Sequence, residues 1–319
     1  MDAATIKREA ARAGFLAAEF ERVARLTEIL ATLGAHPYLR SRLALKGGTA
    51  LNIYHAQNVP RLSVDGDLNY IGQVDRETTE AEIPKLWASI EAVAAEKNYV
   101  ASLDTQGARF RTYRLSYTNV HGSKDSIKLD LNLTERVPVL LPLAVRRPPS
   151  MFGDPGPVTC IQEEEIAGMK IAALVLRGAA RDHWDVANLP GGLDPSRVRK
   201  IALFYGLQYD PTLGDWRQRV AALAEVSERE LANQVKPLVR QGSALDAASL
   251  LAGARAWTAE LDYVSAGEQD VIDALGRNEW NAAAWFEGDW HNPLLDRHPG
   301  ILAAMHKLTT DKHASSPPG

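Results

Sequence analysis

The chain has 319 residues, of which 45% are hydrophobic and 24% charged, and a formal net charge of −4. Its single cysteine, Cys160, excludes an intramolecular disulfide and a zinc site built from cysteines. The net charge argues against a protein that coats nucleic acid, while a local basic groove remains compatible with it. No run approaches the ~20 apolar residues of a membrane span, and the charged start does not resemble a signal peptide, so the sequence predicts a cytoplasmic protein without membrane contacts.

The length exceeds the size at which one hydrophobic core usually keeps growing, so two domains are expected. The proline-rich stretch "RRPPSMFGDPGP" is the predicted linker between them. Strand and helix patterns mix before it, and helical patterns dominate after it. The sequence therefore predicts an α+β fold: a domain over residues 1–150 with leading helices and a small mixed sheet, and a mostly helical domain over 151–319.

The first predicted element is a helix with apolar residues at helical spacing and Gly34 as its stop. A short apolar strand at Leu43 to Leu45 then runs into the glycine pair Gly47 and Gly48. The segment "TALNIYHA" follows as a helix that starts near Thr49. Because the amide groups of a first helical turn have no partner within the helix, this turn is a candidate anion site. A plain strand-to-helix connection is the alternative.

A carboxylate pair, Asp65 and Asp67, follows at the start of the next predicted strand. Side chains at i and i+2 of a strand point to the same side of the sheet. Like charges held that close are costly unless a cation lies between them. Mg²⁺ or Mn²⁺ takes carboxylate oxygens and commonly completes its shell with phosphate oxygens. A solvated loop is the alternative to a metal site.

A helix is predicted over residues 77–97, followed by two strands that the polar turn "HGSKD" joins as a hairpin. In the second strand, Ile127, Leu129, Leu131 and Leu133 face one way, so Asp130 faces the other. Asp130 is therefore a candidate third metal ligand, or the base that activates an acceptor hydroxyl. A polar strand face in contact with water explains it equally well.

The segment "EEEIAGMKIAALVLRGAARDHWDVANL" begins the helical part of the chain. Lys170 lies among apolar residues, and Arg181 is three helical turns further on, so the two are predicted to share a face. Asp185 is placed to pair with Arg181 at i,i+4. An exposed helix lysine and a simple salt bridge are the alternatives. The stretch "SRVRK" and the pair Arg146 and Arg147 are possible RNA contacts, although ordinary surface charge is commoner.

Glycine amides, paired carboxylates on a strand and a third strand carboxylate are together what phosphoryl and nucleotidyl transfer require. The segments "LKGGTAL", "RLSVDGDLNY", "KLDLNL" and "EEEIAGMKIAALVLRGAARDHWDVANL" resemble those of the AbiEii-like, or MenT-type, nucleotidyltransferase toxins. The resemblance implies a polymerase-beta-like nucleotidyltransferase core followed by a helical domain. It also implies Mg²⁺- or Mn²⁺-dependent transfer of a nucleotide from an NTP to the 3′ acceptor end of tRNA by a two-metal mechanism. A winged-helix antitoxin is the implied partner.

Carried onto this chain, the resemblance makes Gly48 and Thr49 the phosphate-binding turn, Asp65 and Asp67 the metal pair, Lys170 the lysine that contacts the nucleotide phosphates, and Asp185 the later acidic residue. From the sequence pattern, Gly47 joins the turn, Asp130 is the third candidate metal ligand and Arg181 is a possible phosphate contact. The candidate catalytic residues are Asp65, Asp67, Asp130, Lys170 and Asp185. Gly66 departs from the pattern, since relatives carry a bulky apolar residue there. Two other functions fit the same sequence: nucleotide transfer to a small molecule such as an antibiotic, and an inactive module that binds RNA or a partner protein.

Overall fold

The structure, a computed structural model, describes residues 1–107 and 110–314. The chain forms two compact units, each made of several chain segments. The first comprises residues 1–136, 142–163 and 229–245, and the second comprises residues 137–141, 164–228 and 246–319. A mixed sheet lies in the first unit and helices make up the second, which confirms the predicted α+β class.

Within the described residues the sheet of the first unit has seven strands in the order β3-β4-β5-β2-β1-β7-β6. The strands are β1 (Leu43–Leu45), β2 (Asp65–Tyr70), β3 (Val100–Gln106), β4 (Phe110–Thr118), β5 (Lys124–Asn132), β6 (Ala144–Arg146) and β7 (Val158–Cys160). β2 runs parallel to β5 and antiparallel to β1, and β1 runs parallel to β7. β2 is therefore the central strand, and its backbone is fixed from both sides.

Helix α2 is the leading helix of the sequence prediction. The helices of this unit are α1 (Ala3–Ala13), α2 (Ala17–Ala35), α3 (Gly47–Thr49), which continues as a π-helix (Ala50–His55), and α4 (Arg76–Glu96). The apolar residues at helical spacing on α2, Phe20, Val23, Leu26, Ile29 and Leu30, are all at most 1% exposed. They form the core beneath the sheet and confirm the predicted amphipathic helix.

The alternation predicted for β5 is present, with Ile127, Leu129 and Leu131 buried and the residues between them half-buried. On the same apolar side of the neighbouring strand, a Cβ added to Gly66 would lie 2.5 Å from Leu129 Cδ2 and 3.1 Å from Leu26 Cδ1. The apolar side chain expected there by resemblance has no room, because Leu129 and Leu26 already fill the space. The packing of Leu129 and Leu26 therefore explains the glycine at this position, and β2 stays paired with β5 through it.

The proline-rich stretch 146–157 connects β6 and β7 of the sheet and lies within the first unit. Neither of these three-residue strands was expected from the sequence. β7 pairs with β1 through Leu45 and Cys160. Burial in this strand raises the pKa of the Cys160 thiol to about 12, so it is an inert core residue.

Residues 229–245 also belong to the first unit. Arg61 bridges to Val239 in antiparallel fashion, and the Leu62 amide donates to the carbonyl oxygen of Leu238 at 2.7 Å. The Arg61 side chain is 1% exposed. This late segment therefore belongs to the same unit as β2, and it consists mainly of a π-helix (Leu231–Val235) and turns.

Helices make up the second unit. Its described helices, with α9 at its boundary, are α5 (Glu163–Arg177), α6 (Ala180–Ala187), α7 (Pro195–Leu207), α8 (Gly214–Ala221), α9 (Glu228–Glu230), α10 (Ala247–Thr258), α11 (Ala266–Leu275), α12 (Ala282–Phe286) and α13 (Pro299–Ala314). Trp216 and Trp285 are fully buried in it, as expected of core tryptophans. Among the residues that the structure describes, no helix combines the length and the apolarity needed to cross a membrane.

Candidate active site

The candidate carboxylates lie on one face of two adjacent strands. In the parallel register of β2 and β5, Asp67 is opposite Asp130 and Asp65 is opposite Lys128. All four side chains are half-buried and alternate with fully buried residues such as Leu68 and Leu129. The structure thus brings together the three carboxylates that the sequence singled out, and it adds a lysine to them.

The glycine turn lies directly against this face. Gly47 has a φ of +68°, a left-handed conformation that favours glycine. A Cβ at Gly47 would overlap the carboxylate of Asp67, whose Cβ and Cγ would both lie 2.9 Å away. The Lys46 amide donates to the Asp67 carbonyl oxygen at 2.8 Å. Glycine is therefore required here for two independent reasons, and the turn and the carboxylate are in direct contact.

The Thr49 side chain serves the structure of this turn. Thr49 is fully buried, and its hydroxyl donates to the carbonyl oxygen of Asp65 at 2.6 Å. The side-chain amide of Asn52 donates to the carbonyl oxygen of Gly48 at 3.0 Å. The Thr49 bond ties the turn to β2, and the Asn52 bond holds the turn to the helix that follows it. The sequence prediction missed Asn52. A phosphate contact at Thr49 stays a prediction for its backbone amide, because its hydroxyl is directed into the protein.

Asp130 is engaged by two donors. Its Oδ1 accepts from the Thr112 hydroxyl at 2.5 Å, and its Oδ2 accepts from Lys128 Nζ at 2.8 Å. The hydrogen bond to Asp130 raises the pKa of Lys128, and the charges of Asp130, Asp65 and Asp67 add to this against the opposing effect of burial. Lys128 is therefore a firmly protonated ammonium within the field of all three carboxylates. The sequence prediction overlooked it, although the spacing K-x-D on β5 places both residues on one face.

Lys170, in the second unit, belongs to a buried cluster of charges. Its Nζ lies 2.8 Å from Asp185 Oδ2 and 3.3 Å from Asp182 Oδ1, and both carboxylates are fully buried. Arg177 Nε lies 2.6 Å from Asp182 Oδ2. Burial raises the pKa of Asp182, but the hydrogen bond from Arg177 and the charges of Lys170 and Arg177 outweigh it, so the net shift is downward.

This cluster replaces the arrangement predicted along a single helix. α5 ends at Arg177, Gly178 adopts a φ of +60°, and α6 begins at Ala180. The predicted common face of Lys170 and Arg181 is therefore wrong, since it assumed an unbroken helix. The expectation of an exposed helix lysine is also wrong, because the Lys170 side chain is only 11% exposed. The Asp185 carboxylate pairs with the Lys170 ammonium. Arg181 lies one helical turn before Asp185 on α6, and its side chain is half-buried.

Comparison with known proteins settles the family. Residues 28–286 match the family described as nucleotidyl transferase AbiEii toxin, type IV toxin–antitoxin system. The chain belongs to the AbiEii family. The prediction from the sequence motifs is thereby confirmed, and this AbiEii chain is a nucleotidyltransferase toxin of a type IV toxin–antitoxin system. No curated protein matches it.

A solved structure shows the same fold. MenT4, a nucleotidyltransferase toxin from Mycobacterium tuberculosis H37Rv, has a TM-score of 0.61 and 19% sequence identity, with 97% of the AbiEii chain and 99% of MenT4 covered. JHP933 from Helicobacter pylori covers 78% of the AbiEii chain and 95% of its own length, at a TM-score of 0.46 and 16% identity. At these identities the likeness establishes the fold alone, and only the first score is high enough to do so.

The donor set of the first unit fits a magnesium ion that arrives with a nucleotide. Mg²⁺ is usually held by one or two carboxylates together with substrate phosphates rather than by a cage of protein ligands. Asp65 and Asp67 provide such a pair beside the Gly47 turn. Within residues 1–107 and 110–314, no three acidic, histidine or cysteine side chains are grouped as a complete metal site. The arrangement matches an ion shared with substrate better than a permanent structural ion.

Replacing Gly47 with alanine is expected to lower nucleotide transfer about a hundredfold, because the new Cβ displaces the Asp67 carboxylate and small misplacements at a reacting centre cost about that much. The matched control is Gly122→Ala. Gly122 also has a left-handed φ, +81°, but a Cβ there would meet no described atom within 4 Å. Initial rates of transfer should fall for the first variant and stay normal for the second. Equal rates in both would show that the turn does not position Asp67.

The basic residues of the stretch "SRVRK" on α7 make charged contacts within the second unit. Arg199 Nη1 and Lys200 Nζ lie 2.6 Å and 2.9 Å from Glu268 Oε1, and Glu268 is 2% exposed. The guanidinium of Arg197 lies over the Trp290 ring at 5.2 Å. Two of the three cations are therefore committed to a buried carboxylate, and the structure favours the salt-bridge explanation of this stretch over a groove for RNA.

Glu268 predicts a pH dependence of stability. Burial raises the pKa of Glu268, but hydrogen bonds from Arg199, Lys200 and the Ser265 amide outweigh it and lower the pKa from 4.5 to about 2. Because the folded pKa is depressed, this stabilisation is complete above pH 4.5 and is lost as the pH falls toward 2. At about 1.4 kcal/mol per pKa unit, Glu268→Gln is expected to cost about 3 kcal/mol at pH 7.

Urea unfolding of both proteins between pH 7 and pH 3.5 measures this difference, which should shrink as the pH falls below 4.5. Glu279→Gln is the control, since Glu279 and its partner Arg277 are both more than 60% exposed and such pairs contribute little. A difference that stays constant over this pH range would contradict the assigned role of Glu268.

Proposed function

We propose that this AbiEii toxin transfers a nucleoside monophosphate from an NTP to the 3′ end of tRNA in the cytoplasm, in a reaction that requires Mg²⁺ or Mn²⁺. The observation that supports this most directly is the contact between the Gly47 turn and Asp67 on the central strand. It combines an anion-binding turn with a carboxylate pair at one place, and nucleotidyl transfer needs both.

In the proposed reaction, the terminal 3′-hydroxyl oxygen of the RNA attacks the α-phosphorus of the NTP. A new phosphorus–oxygen bond forms, the bond from the α-phosphorus to the oxygen that bridges to the β-phosphate breaks, and pyrophosphate leaves. The hydroxyl proton is lost to a base or to water. When bound, the divalent ion neutralises negative charge that develops on the phosphate oxygens.

The side chains of this chain are assigned as follows. Asp65 and Asp67 hold the ion, and the amides of Gly47, Gly48 and Thr49 bind phosphate oxygens. Lys170 is assigned to the nucleotide phosphates on the strength of the family resemblance, and Arg181 is assigned as a further phosphate contact. Asp185 acts through Lys170, whose ammonium it fixes at 2.8 Å. A two-metal form of the reaction would also require Asp130 as a shared ligand.

The family places the protein in a type IV toxin–antitoxin system, which implies an antitoxin as partner. We propose the winged-helix type for that antitoxin, since the motifs that carry the resemblance imply a neighbouring gene of this kind. Growth of bacteria that express the toxin with and without the adjacent gene is the measurement, and relief of growth arrest by the neighbour is the expected result.

The test of the function is transfer of label from each of the four α-labelled NTPs to total bacterial tRNA in the presence of Mg²⁺, read on a denaturing gel. One NTP should label tRNA, and tRNA whose terminal ribose has been oxidised with periodate should take no label. Label on oxidised tRNA would contradict the 3′ end as acceptor. Label only in the small-molecule fraction would indicate an antibiotic-type acceptor, and no label at all would favour an inactive binding module.

A further inference from the structure

A lysine lies within the proposed metal site. Lys128 is on the same face of the sheet as Asp65, Asp67 and Asp130, and its register partner on β2 is Asp65. Adjacent strands are ~4.8 Å apart, so register partners on one face are close neighbours. The Lys128 ammonium pairs with Asp130 at 2.8 Å. A positive charge therefore belongs to the protein at a place where the two-metal scheme needs a second ion.

Asp130 is poorly suited to bind a dication. The Thr112 hydroxyl donates to one of its oxygens at 2.5 Å and the Lys128 ammonium donates to the other at 2.8 Å. Thr112 is the register partner of Asp130 on β4, so the strand pairing itself holds the hydroxyl in place. An ion that bound Asp130 would have to approach the ammonium to within a few ångströms, at a high electrostatic cost.

The formal charges lead to the same conclusion. Taken by themselves, Asp65, Asp67, Asp130 and Lys128 carry a net formal charge of −2, which one divalent ion cancels. A second divalent ion would give these four groups a net positive charge. Where Lys128 supplies one of the positive charges, a single ion with Asp65 and Asp67 is sufficient.

We propose that Lys128 is a permanent cation of the active site and takes the place of the second divalent ion. Asp130 then positions Lys128 and is neither a metal ligand nor the base. The inference rests on the proposed metal-dependent transfer, which it refines: Asp65 and Asp67 would hold one ion, and Lys128 would stabilise charge on the reacting phosphate.

Mn²⁺ binding to the full-length protein, with a non-hydrolysable α,β-methylene NTP analogue present, tests this by calorimetry and electron paramagnetic resonance. The wild type is expected to bind one Mn²⁺ beyond any bound by the analogue alone, with the spectrum of an isolated ion. Asp67→Asn should weaken binding more than tenfold, and Asp130→Asn by less than about threefold, because only Asp67 is a ligand. Two ions ~3.5–4 Å apart would give a spin-coupled spectrum in the wild type and would overturn the proposal, as would equal losses in the two variants.

Lys128→Met provides the complementary result. Removing a repelling charge should raise the affinity for Mn²⁺, or the number of ions bound, because an opposing cation has been removed. Lys124→Met is the matched control, since Lys124 lies on the same face of β5 four residues away. Unchanged Mn²⁺ binding in Lys128→Met would overturn the proposal. Transfer need not be measured, so failure of the proposed function, seen as no labelled RNA, is distinguished from failure of the one-ion site.

Discussion

Asp67→Asn is expected to lower nucleotide transfer by about a thousandfold, a loss typical of removing a main electrostatic contribution to a reaction. The change removes one of the two proposed metal ligands and keeps the size of the side chain. The folded protein should be unharmed, because a carboxylate is lost from a face that also carries Asp65 and Asp130, and repulsion between them falls. Initial rates of label transfer and thermal melts followed by circular dichroism measure the two effects separately.

Asp154→Asn is the control for the loss of one negative charge, since the Asp154 side chain is 91% exposed and its pair with Arg147 is at the surface. It should transfer nucleotide at the wild-type rate. If the Asp67→Asn protein kept more than a tenth of the wild-type rate, the proposal that Asp67 is a metal ligand would be wrong.

Lys170→Met is expected to have the largest effect on stability, because it leaves Asp185 buried without its ammonium and removes one of the cations that face Asp182. Breaking a buried ion pair from one side costs about 3–5 kcal/mol. Transfer should be lost as well, and growth arrest on expression in bacteria should be relieved. Urea unfolding at pH 7 gives the stability and the labelling assay gives the rate.

A double variant separates unfolding from catalysis. In Lys170→Met with Asp185→Leu, both members of the pair become apolar, and such replacements are often neutral for stability, while Asp182 keeps Arg177. Stability should return to near the wild-type value with transfer still absent. If transfer returned together with stability, the role of Lys170 would be structural only, and the phosphate contact assigned to it would be wrong.

The sequence predicted those elements whose pattern is local. The helix spacing of α2, the alternation of β5 and the D-x-D spacing each follow from one stretch of chain, so their faces were assigned correctly. β6 and β7 were missed because three-residue strands next to prolines show no periodicity. β7 pairs with β1, which lies more than a hundred residues earlier in the chain, and β6 pairs with β7.

The environment of the candidate site was harder to predict, since it depends on contacts between elements. The surroundings of Asp130 include Thr112 of the adjacent strand β4, which donates to the carboxylate oxygen that Lys128 does not contact. Likewise, Lys170 pairs with Asp185 across the break in the chain at Gly178, and a helical pattern continued across that glycine wrongly places Lys170 and Arg181 on one face. The roles of these residues in the reaction stay predictions until the transfer assays are done.

The place of residues 229–245 in the first unit has a consequence for the timing of toxicity during synthesis. Chains emerge from the ribosome from the N-terminus at about 5–20 residues per second, and domains fold as they become complete. The body that carries Asp65 and Asp67 lacks its last segment until residue 245 has been made. About 10 to 40 s therefore separate translation of the carboxylate pair from completion of the body around it, at that rate of elongation. A chain whose synthesis ends before residue 245 would lack this segment of the first unit, so we expect it to transfer no label in the tRNA assay.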